Sequence, residues 1–229
     1  MDDARTRKVR IWDLPTRLFH WSLAACIVGS LVSVNLGGNA VGWHFRFGYA
    51  ILALLLFRLI WGLAGPHYAR FASFPPSLAA ALRYLRGEGS ASPGHNPLGA
   101  LSVYAMLAAL ALQVGTGLFA TDDIMWDGPL KHLVSNAASA TLTRVHKINR
   151  FVVIALVVLH LAAIAWYAFA RGERLVRPMI DGDKAFGDAA GRGQATPAAA
   201  ADGARQRLLA LVLFGASAAA AWAIVTRLA

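Results

Sequence analysis

The sequence predicts an all-α integral membrane protein, in which four transmembrane helices form a bundle and a fifth follows at the C-terminus. Only 15% of the 229 residues are charged and 57% are hydrophobic, whereas soluble domains carry about 25% charged residues. Five apolar segments approach the roughly 20 residues that a spanning helix needs, at 18–36, 44–64, 97–120, 146–170 and 208–225. Their hydrophobicity is continuous rather than alternating, which favours helices over a β-barrel.

The five segments divide the chain into three parts. The first follows a basic stretch, as a secretory signal would, but its apolar run is long and lacks an A-x-A cleavage site, so we expect a retained helix. Segments one to four place a four-helix domain at 1–177. Residues 178–207 are rich in Gly, Ala and Asp and predict a flexible cytoplasmic linker. Residues 208–229 hold the alanine-rich fifth transmembrane helix.

The charges between the segments predict the orientation. The N-terminal stretch, the connection between segments two and three, and the connection before segment five carry 15 Lys and Arg, against 2 in the other connections. Cytoplasmic loops of membrane proteins are enriched in such residues. We therefore expect a multi-pass protein of the bacterial inner membrane with a cytoplasmic N-terminus and a periplasmic C-terminus. The net charge of +10 is assigned to topology and anionic lipid rather than to nucleic acid, which is not an expected partner.

Four histidines lie within these apolar segments and are the candidate functional residues. His146 and His160 are 14 residues apart, which places them on one helical stripe and about 21 Å apart along the axis. His20 begins segment one at the cytoplasmic side, and His44 begins segment two at the outer side. Depth therefore pairs His20 with His160 and His44 with His146.

Two imidazoles from different helices can bind both axial faces of a haem, so these pairs predict two haem b sites with the four histidines as metal ligands. The alternative is four ordinary polar contacts between helices. Zinc would require further ligands at each site, and no Asp or Glu lies within any segment. The single cysteine, Cys26, excludes a disulfide framework and covalent CxxCH attachment.

Haem propionates require cations, and two arginines are candidates. Arg17 lies three residues before His20, and Arg58 lies 14 residues after His44 on the same stripe. Both are predicted to bind the cofactor through its propionates, although long basic side chains also extend to lipid headgroups. Some small residues and loop histidines have a weaker signal.

The glycines of the membrane segments either leave room for a wide ring or serve ordinary helix packing; they are Gly48, Gly115 and Gly117. The loop histidines His67 and His95 either shape a quinone site or are solvated. His132 is also a loop histidine and is an alternative ligand.

These residues resemble the bacterial cytochrome b561 family and the related b-type cytochrome subunits of membrane hydrogenases. The resemblance covers roughly residues 9–180 and rests on the stretch 11–21 with His20, on His44 with Gly48 and Arg58, on the stretch 94–99, on Gln113 with Thr116 and Gly117, and on His146, Lys147 and His160. It implies a four-helix core with two b haems, whose axial ligands come from helices one, two and four, and which exchanges electrons with quinones or c-type cytochromes. The fifth helix departs from the family core.

The predicted function is one-electron transfer across the membrane between the quinone pool and a periplasmic redox partner such as a c-type cytochrome. Three alternatives stay open: a quinone-linked oxidoreductase in its own right, the membrane-anchor subunit of a larger oxidoreductase that docks on the outer loop, and a histidine-containing transporter without haem.

Overall fold

The computed structural model describes residues 7–88, 92–186 and 197–227. Within them, five helices are long and apolar enough to cross a membrane. Two short helices and one antiparallel pair of strands complete the fold. In chain order the elements are β1 (Arg7–Arg10), α1 (Leu14–Leu36), α2 (Val41–Ala64), α3 (Leu78–Leu85), α4 (Pro97–Gly117), α5 (Asn136–Ala170), α6 (Val176–Asp181), β2 (Asp183–Phe186) and α7 (Ala204–Arg227). The predicted all-helical membrane fold is confirmed.

Helix boundaries are set by capping residues that hydropathy does not detect. α1 starts at Leu14 because the Asp13 side chain accepts a hydrogen bond from the backbone N–H of Thr16, with a proline in the first turn. α5 starts at Asn136, ten residues before the predicted boundary, and is capped by Ser135. The added turns contain Ser and Thr, so they extend the helix without adding to its apolar segment.

The membrane helices pack as two hairpins. α1 packs against α2, α4 packs against α5, and α2 also contacts α4 and α7, whereas α1 and α5 are not among the closely packed pairs. The short α1–α2 connection contains Gly37 and Gly38, both at positive φ (69° and 54°), a conformation that residues with a Cβ rarely adopt. α1 therefore approaches α5 less closely than it approaches α2 within its own hairpin.

An apolar cluster fills the middle of the bundle. It joins α2, α4 and α5 through buried residues that include Ile51, Leu110 and Val153. Val153 lies midway in sequence between His146 and His160. The two ends of the bundle that hold these histidines are thus separated by packed hydrocarbon. The outward faces are also apolar, with Leu63, Leu161 and Leu211 all more than half exposed, as expected for contact with lipid.

A cap closes one end of the bundle, which we call the basic end, and its described residues are 7–13, 65–88, 92–96, 171–186 and 197–203. β1 pairs antiparallel with β2. Arg10 binds Asp183 and Asp202, each at 2.6 Å. The carboxylate of Asp202 also accepts the backbone N–H of Leu14 at 3.1 Å. These contacts bring the starts of α1 and α7 to the same end.

The segment 178–207, expected to be a linker, contributes to this cap in the parts that the structure describes. Residues 178–186 contain the end of α6 and β2, and the backbone N–H of Ala200 donates to the carbonyl of Arg10 at 2.7 Å. Residues 187–196 of the expected linker lie outside the described residues. The division of the chain into domains stays a prediction.

Candidate functional site

The four histidines of the membrane segments face one another in two pairs. The rings of His20 on α1 and His160 on α5 have centroids 6.4 Å apart. The rings of His44 on α2 and His146 on α5 have centroids 6.0 Å apart. The structure therefore brings together the same pairs that depth in the membrane suggested, at opposite ends of one stretch of α5.

Both separations suit one metal ion between two imidazoles. An imidazole nitrogen binds a transition metal at about 2.0 Å, and its ring centre lies about 1.1 Å further back, so two rings on opposite faces of one metal have centroids about 6.2 Å apart. Among the described residues, no group of three or more His, Cys, Asp or Glu side chains converges on a metal position. Each pair therefore fits a metal that brings its own remaining ligands, as iron in a porphyrin does.

The outer pair, His44 and His146, is held by hydrogen bonds on its other ring nitrogens. Nδ1 of His44 lies 2.9 Å from the hydroxyl and 3.1 Å from the carbonyl oxygen of Ser30. Nδ1 of His146 lies 2.9 Å from the carbonyl oxygen of Gln113. A carbonyl only accepts, so this Nδ1 carries the proton and Nε2 carries the lone pair, which is the tautomer that binds a metal through Nε2.

The inner pair, His20 and His160, lies at the basic end. Nδ1 of His20 is buried without a hydrogen-bond partner in the described part of the chain, and the ring packs edge-on against Trp21 at 5.1 Å. The Trp21 indole donates to the carbonyl of Met179 at 3.0 Å. Arg17 donates to the carbonyl of Ile180. α6 is thus anchored beside the inner pair.

Arg17 and Arg58 differ in their surroundings, but each keeps an unused donor. Nε of Arg17 and Nη1 of Arg58 are buried and have no partner among the described residues. Arg58 is 4% exposed, and its guanidinium lies 4.6 Å from the ring centre of Phe71. The buried carboxylate of Asp13 is close enough to act on this charge, but a buried guanidinium N–H without an acceptor is costly, so Nη1 of Arg58 fits a further anionic group such as a propionate.

A buried aspartate that the sequence analysis missed supports this region. Asp13 is 0% exposed and accepts from the Thr16 backbone at 2.9 Å, the Thr16 hydroxyl at 2.7 Å and the Trp61 indole at 3.1 Å. Burial raises its pKa, while these hydrogen bonds oppose the rise. Asp13 directly before a Pro-containing helix start is an N-cap signal that the sequence offered.

Of the loop histidines, His95 is the partly buried one, and its Nδ1 is enclosed. Its ring packs between Phe74 at 4.3 Å and Trp12 at 4.8 Å. Burial, and next the positive charge of Arg58, lower the pKa of His95 to about 3, so it is neutral at physiological pH. His67 and His132 are exposed, and neither approaches the four paired histidines as a further ligand in the described residues.

The three glycines of interest fall into two kinds. Gly48 follows His44 by one turn, and a Cβ built there meets nothing within 4 Å, so open space lies beside His44. A Cβ at Gly117 would lie 2.9 Å from Cε1 of His146, so this glycine packs directly on the ring. Gly115 also faces open space, but two residues from Gly117 it lies on the opposite side of α4.

Five membrane-length helices with facing interior histidines define a membrane-embedded helical bundle of the kind that holds b-type haem. The chain matches the prokaryotic cytochrome b561 family over residues 11–182, and it belongs to that family. It is accordingly a multi-pass membrane cytochrome that binds b-type haem and functions in electron transport. The fifth membrane helix, α7, lies beyond the matched residues. Comparisons with curated proteins and with solved structures gave no match.

Proposed function

We propose that the chain carries two b haems, one ligated by His20 and His160 and the other by His44 and His146. The observation that carries the proposal is the spacing of the two ring pairs, 6.4 and 6.0 Å between centroids, with nothing else at either position able to complete a metal site in the described residues. The open space beside Gly48 and the loose approach of α1 to α5 are further support, because a porphyrin needs room between helices.

In this proposal Arg17 and Arg58 bind haem propionates at the basic end. Each has a buried, unused N–H donor, and a carboxylate would satisfy it through a charge-assisted hydrogen bond. The positive charge of a propionate-binding arginine would also favour the reduced state of that haem, because reduction adds negative charge.

The proposed function is electron transfer across the membrane between the quinone pool and a periplasmic redox partner such as a c-type cytochrome. The haem supplies a one-electron couple. The chain's paired histidines would hold the iron, their hydrogen-bond partners would fix the imidazole orientation, and the surrounding side chains would exclude water and set the local charge. The separation of 14 residues from His146 to His160 on continuous α5 corresponds to about 21 Å of helix, most of the roughly 30 Å hydrocarbon core. The two ligand positions are thereby proposed to serve opposite surfaces.

The proposed setting is the bacterial inner membrane, with the basic end in the cytoplasm. The support is the excess of Lys and Arg at that end, which follows the positive-inside rule. Because α1 and α7 start at the same end and five helices cross, the N-terminus would be cytoplasmic and the C-terminus periplasmic.

Single-ligand variants test the assignment. His160→Ala is expected to lose the inner haem and retain the outer one, and His146→Ala is expected to do the reverse, each giving about half of the wild-type haem content per chain. The control is His132→Ala, which changes an exposed histidine and is expected to retain both haems. Pyridine haemochrome content and low-temperature spectra of the purified variants distinguish the two sites. Loss of the same haem in both ligand variants would contradict the pairing.

A further inference from the structure

Gln113, Thr116 and Gly117 on α4 all contact the ring or backbone of His146, and together they surround one side of this proposed ligand. They fall on one face of the helix because they are spaced three and four residues apart. The following inference rests on the proposed function, since it concerns how the outer ligand is held.

Gln113 contacts His146 in three ways. Its backbone carbonyl accepts from Nδ1 at 2.9 Å. Its side-chain amide donates to the backbone carbonyl of His146 at 3.1 Å and lies 3.1 Å from Nε2. A metal bound at Nε2 would displace the amide from that nitrogen, and the amide would keep the His146 carbonyl as its acceptor.

Asn149 fixes the Gln113 amide from the other side. Its Nδ2 donates to Oε1 of Gln113 at 2.8 Å and to the carbonyl of Ala109 at 2.9 Å. Asn149 is buried, at 6% exposure, so these hydrogen bonds are shielded from water. The amide of Gln113 can then present only its N–H groups to His146, and α4 and α5 are held in one register at this turn.

Thr116 and Gly117 shape the remaining surface around the ring. The Thr116 hydroxyl donates back to the carbonyls of Leu112 and Gln113, at 2.7 and 3.1 Å, and lies 3.5 Å from Nδ1 of His146. A side chain at Gly117 would collide with Cε1 at 2.9 Å and Nδ1 at 3.1 Å. The imidazole therefore lies in a socket that admits one ring orientation.

We propose that Gln113, Thr116 and Gly117, locked by Asn149, form a positioning socket that sets the tautomer and ring plane of His146 and thereby the redox properties of the outer haem. These are positioning residues, because they act on the ligand and do not themselves bind the metal. Hydrogen bonds to the second nitrogen of a ligating histidine fix its orientation and raise its basicity, and loss of such partners typically weakens metal binding by about 10- to 100-fold.

The test compares Gly117→Ala with its matched control Gly115→Ala, because the second substitution adds the same methyl group on the opposite side of α4, where it meets nothing within 4 Å. Gly117→Ala is expected to shift the low-spin EPR signal and midpoint potential of the outer haem, or to weaken its retention about tenfold. Gly115→Ala is expected to leave both haems unchanged. The inner haem of the same molecule reports whether each variant is folded.

Gln113→Leu provides a second test, since it replaces one long side chain by another large one and removes the amide. Its expected result is a shift confined to the outer haem. The proposal is overturned if both haems of Gln113→Leu match the wild type, or if Gly117→Ala and Gln113→Leu alter the inner and outer haems equally. Failure of the two-haem assignment gives a different result, because His146→Ala would then retain the outer signal.

Discussion

Replacing Asp13 by alanine tests how the basic end is held together. The Asp13 side chain is fully buried and is the shared acceptor for the N-terminus of α1 and for the indole of Trp61 on α2. Trp61 is 0% exposed, so without Asp13 its N–H has no water to replace the lost acceptor. The substitution removes a helix cap and leaves a buried donor unsatisfied at the same time.

The expected loss follows from these two effects. Removing an N-cap costs about 1 kcal/mol, and leaving a buried donor unsatisfied costs about 1–3 kcal/mol. The sum is about 2–4 kcal/mol for Asp13→Ala. At about 2–4 °C per kcal/mol for a chain of this size, the midpoint of thermal unfolding should fall by roughly 4–16 °C.

The assay is thermal unfolding of the purified protein in detergent, followed by helical circular dichroism and by Soret absorbance. Asp13→Asn keeps one carbonyl oxygen to cap α1 and accept from Trp61, so it should retain most of the stability. Asp127→Ala removes a carboxylate that is 56% exposed and lies 3.9 Å from Lys131, so it should change the midpoint little. An Asp13→Ala midpoint within 2 °C of the wild type would refute the reasoning.

Three further results are expected. Gly48→Leu should fill the open space beside His44 and lose only the outer haem. The control Gly215→Leu, at a glycine that also faces open space, should keep both haems. Equal haem content in the two variants would contradict this expectation. Truncation after residue 203 should keep the haem content, since none of the four paired histidines lies on α7. It should lower the midpoint of thermal unfolding, because α7 packs against α2. Loss of haem from the truncated chain at low temperature would contradict this expectation. Burial, and next the charge of Arg58, lower the pKa of His95 from its ordinary 6.5 to about 3 in the folded state. As the pH decreases from about 6.5, the unfolded chain therefore takes up the proton before the folded chain does. The free energy of unfolding should then fall by at most about 1.4 kcal/mol per pH unit. His95→Leu should flatten this acid dependence, and parallel pH curves for the variant and the wild type would disprove the assignment.

The membrane fold was predictable because lipid imposes one constraint on every spanning segment, and hydropathy reports it directly. The five helices therefore appear where the apolar segments lie. The depth of a residue in such a helix follows from counting, which is why His20 meets His160 and His44 meets His146. The early start of α5 at Asn136 was not visible, because polar turns beyond the apolar segment add nothing to hydropathy.

The cap at the basic end was not predictable from local pattern. β1 and β2 are four-residue strands whose pairing depends on Arg10 meeting Asp183 and Asp202, more than 170 residues away in sequence. Both aspartates lie within residues 178–207, whose composition is typical of a flexible linker. Long-range pairing of this kind leaves no periodic signal in one sequence.

Around Arg58, the sequence predicts the arginine but not the residues that surround it. A basic residue deep in an apolar segment indicates function, and Arg58 was found in this way. Asp13 and His95 lie outside the apolar segments, in stretches that resemble ordinary loops. His95 is enclosed by Trp12 and Phe74, and Asp13 is bound to Thr16 and to Trp61 of α2, so the surroundings of both residues depend on tertiary packing.

The central claim is tested most directly by the haem content of the purified wild-type chain together with its reduced-minus-oxidised spectrum. The account predicts two low-spin b haems per chain, resolved as two components in a redox titration. A single haem per chain, or a high-spin spectrum, would contradict ligation of two irons by four histidines.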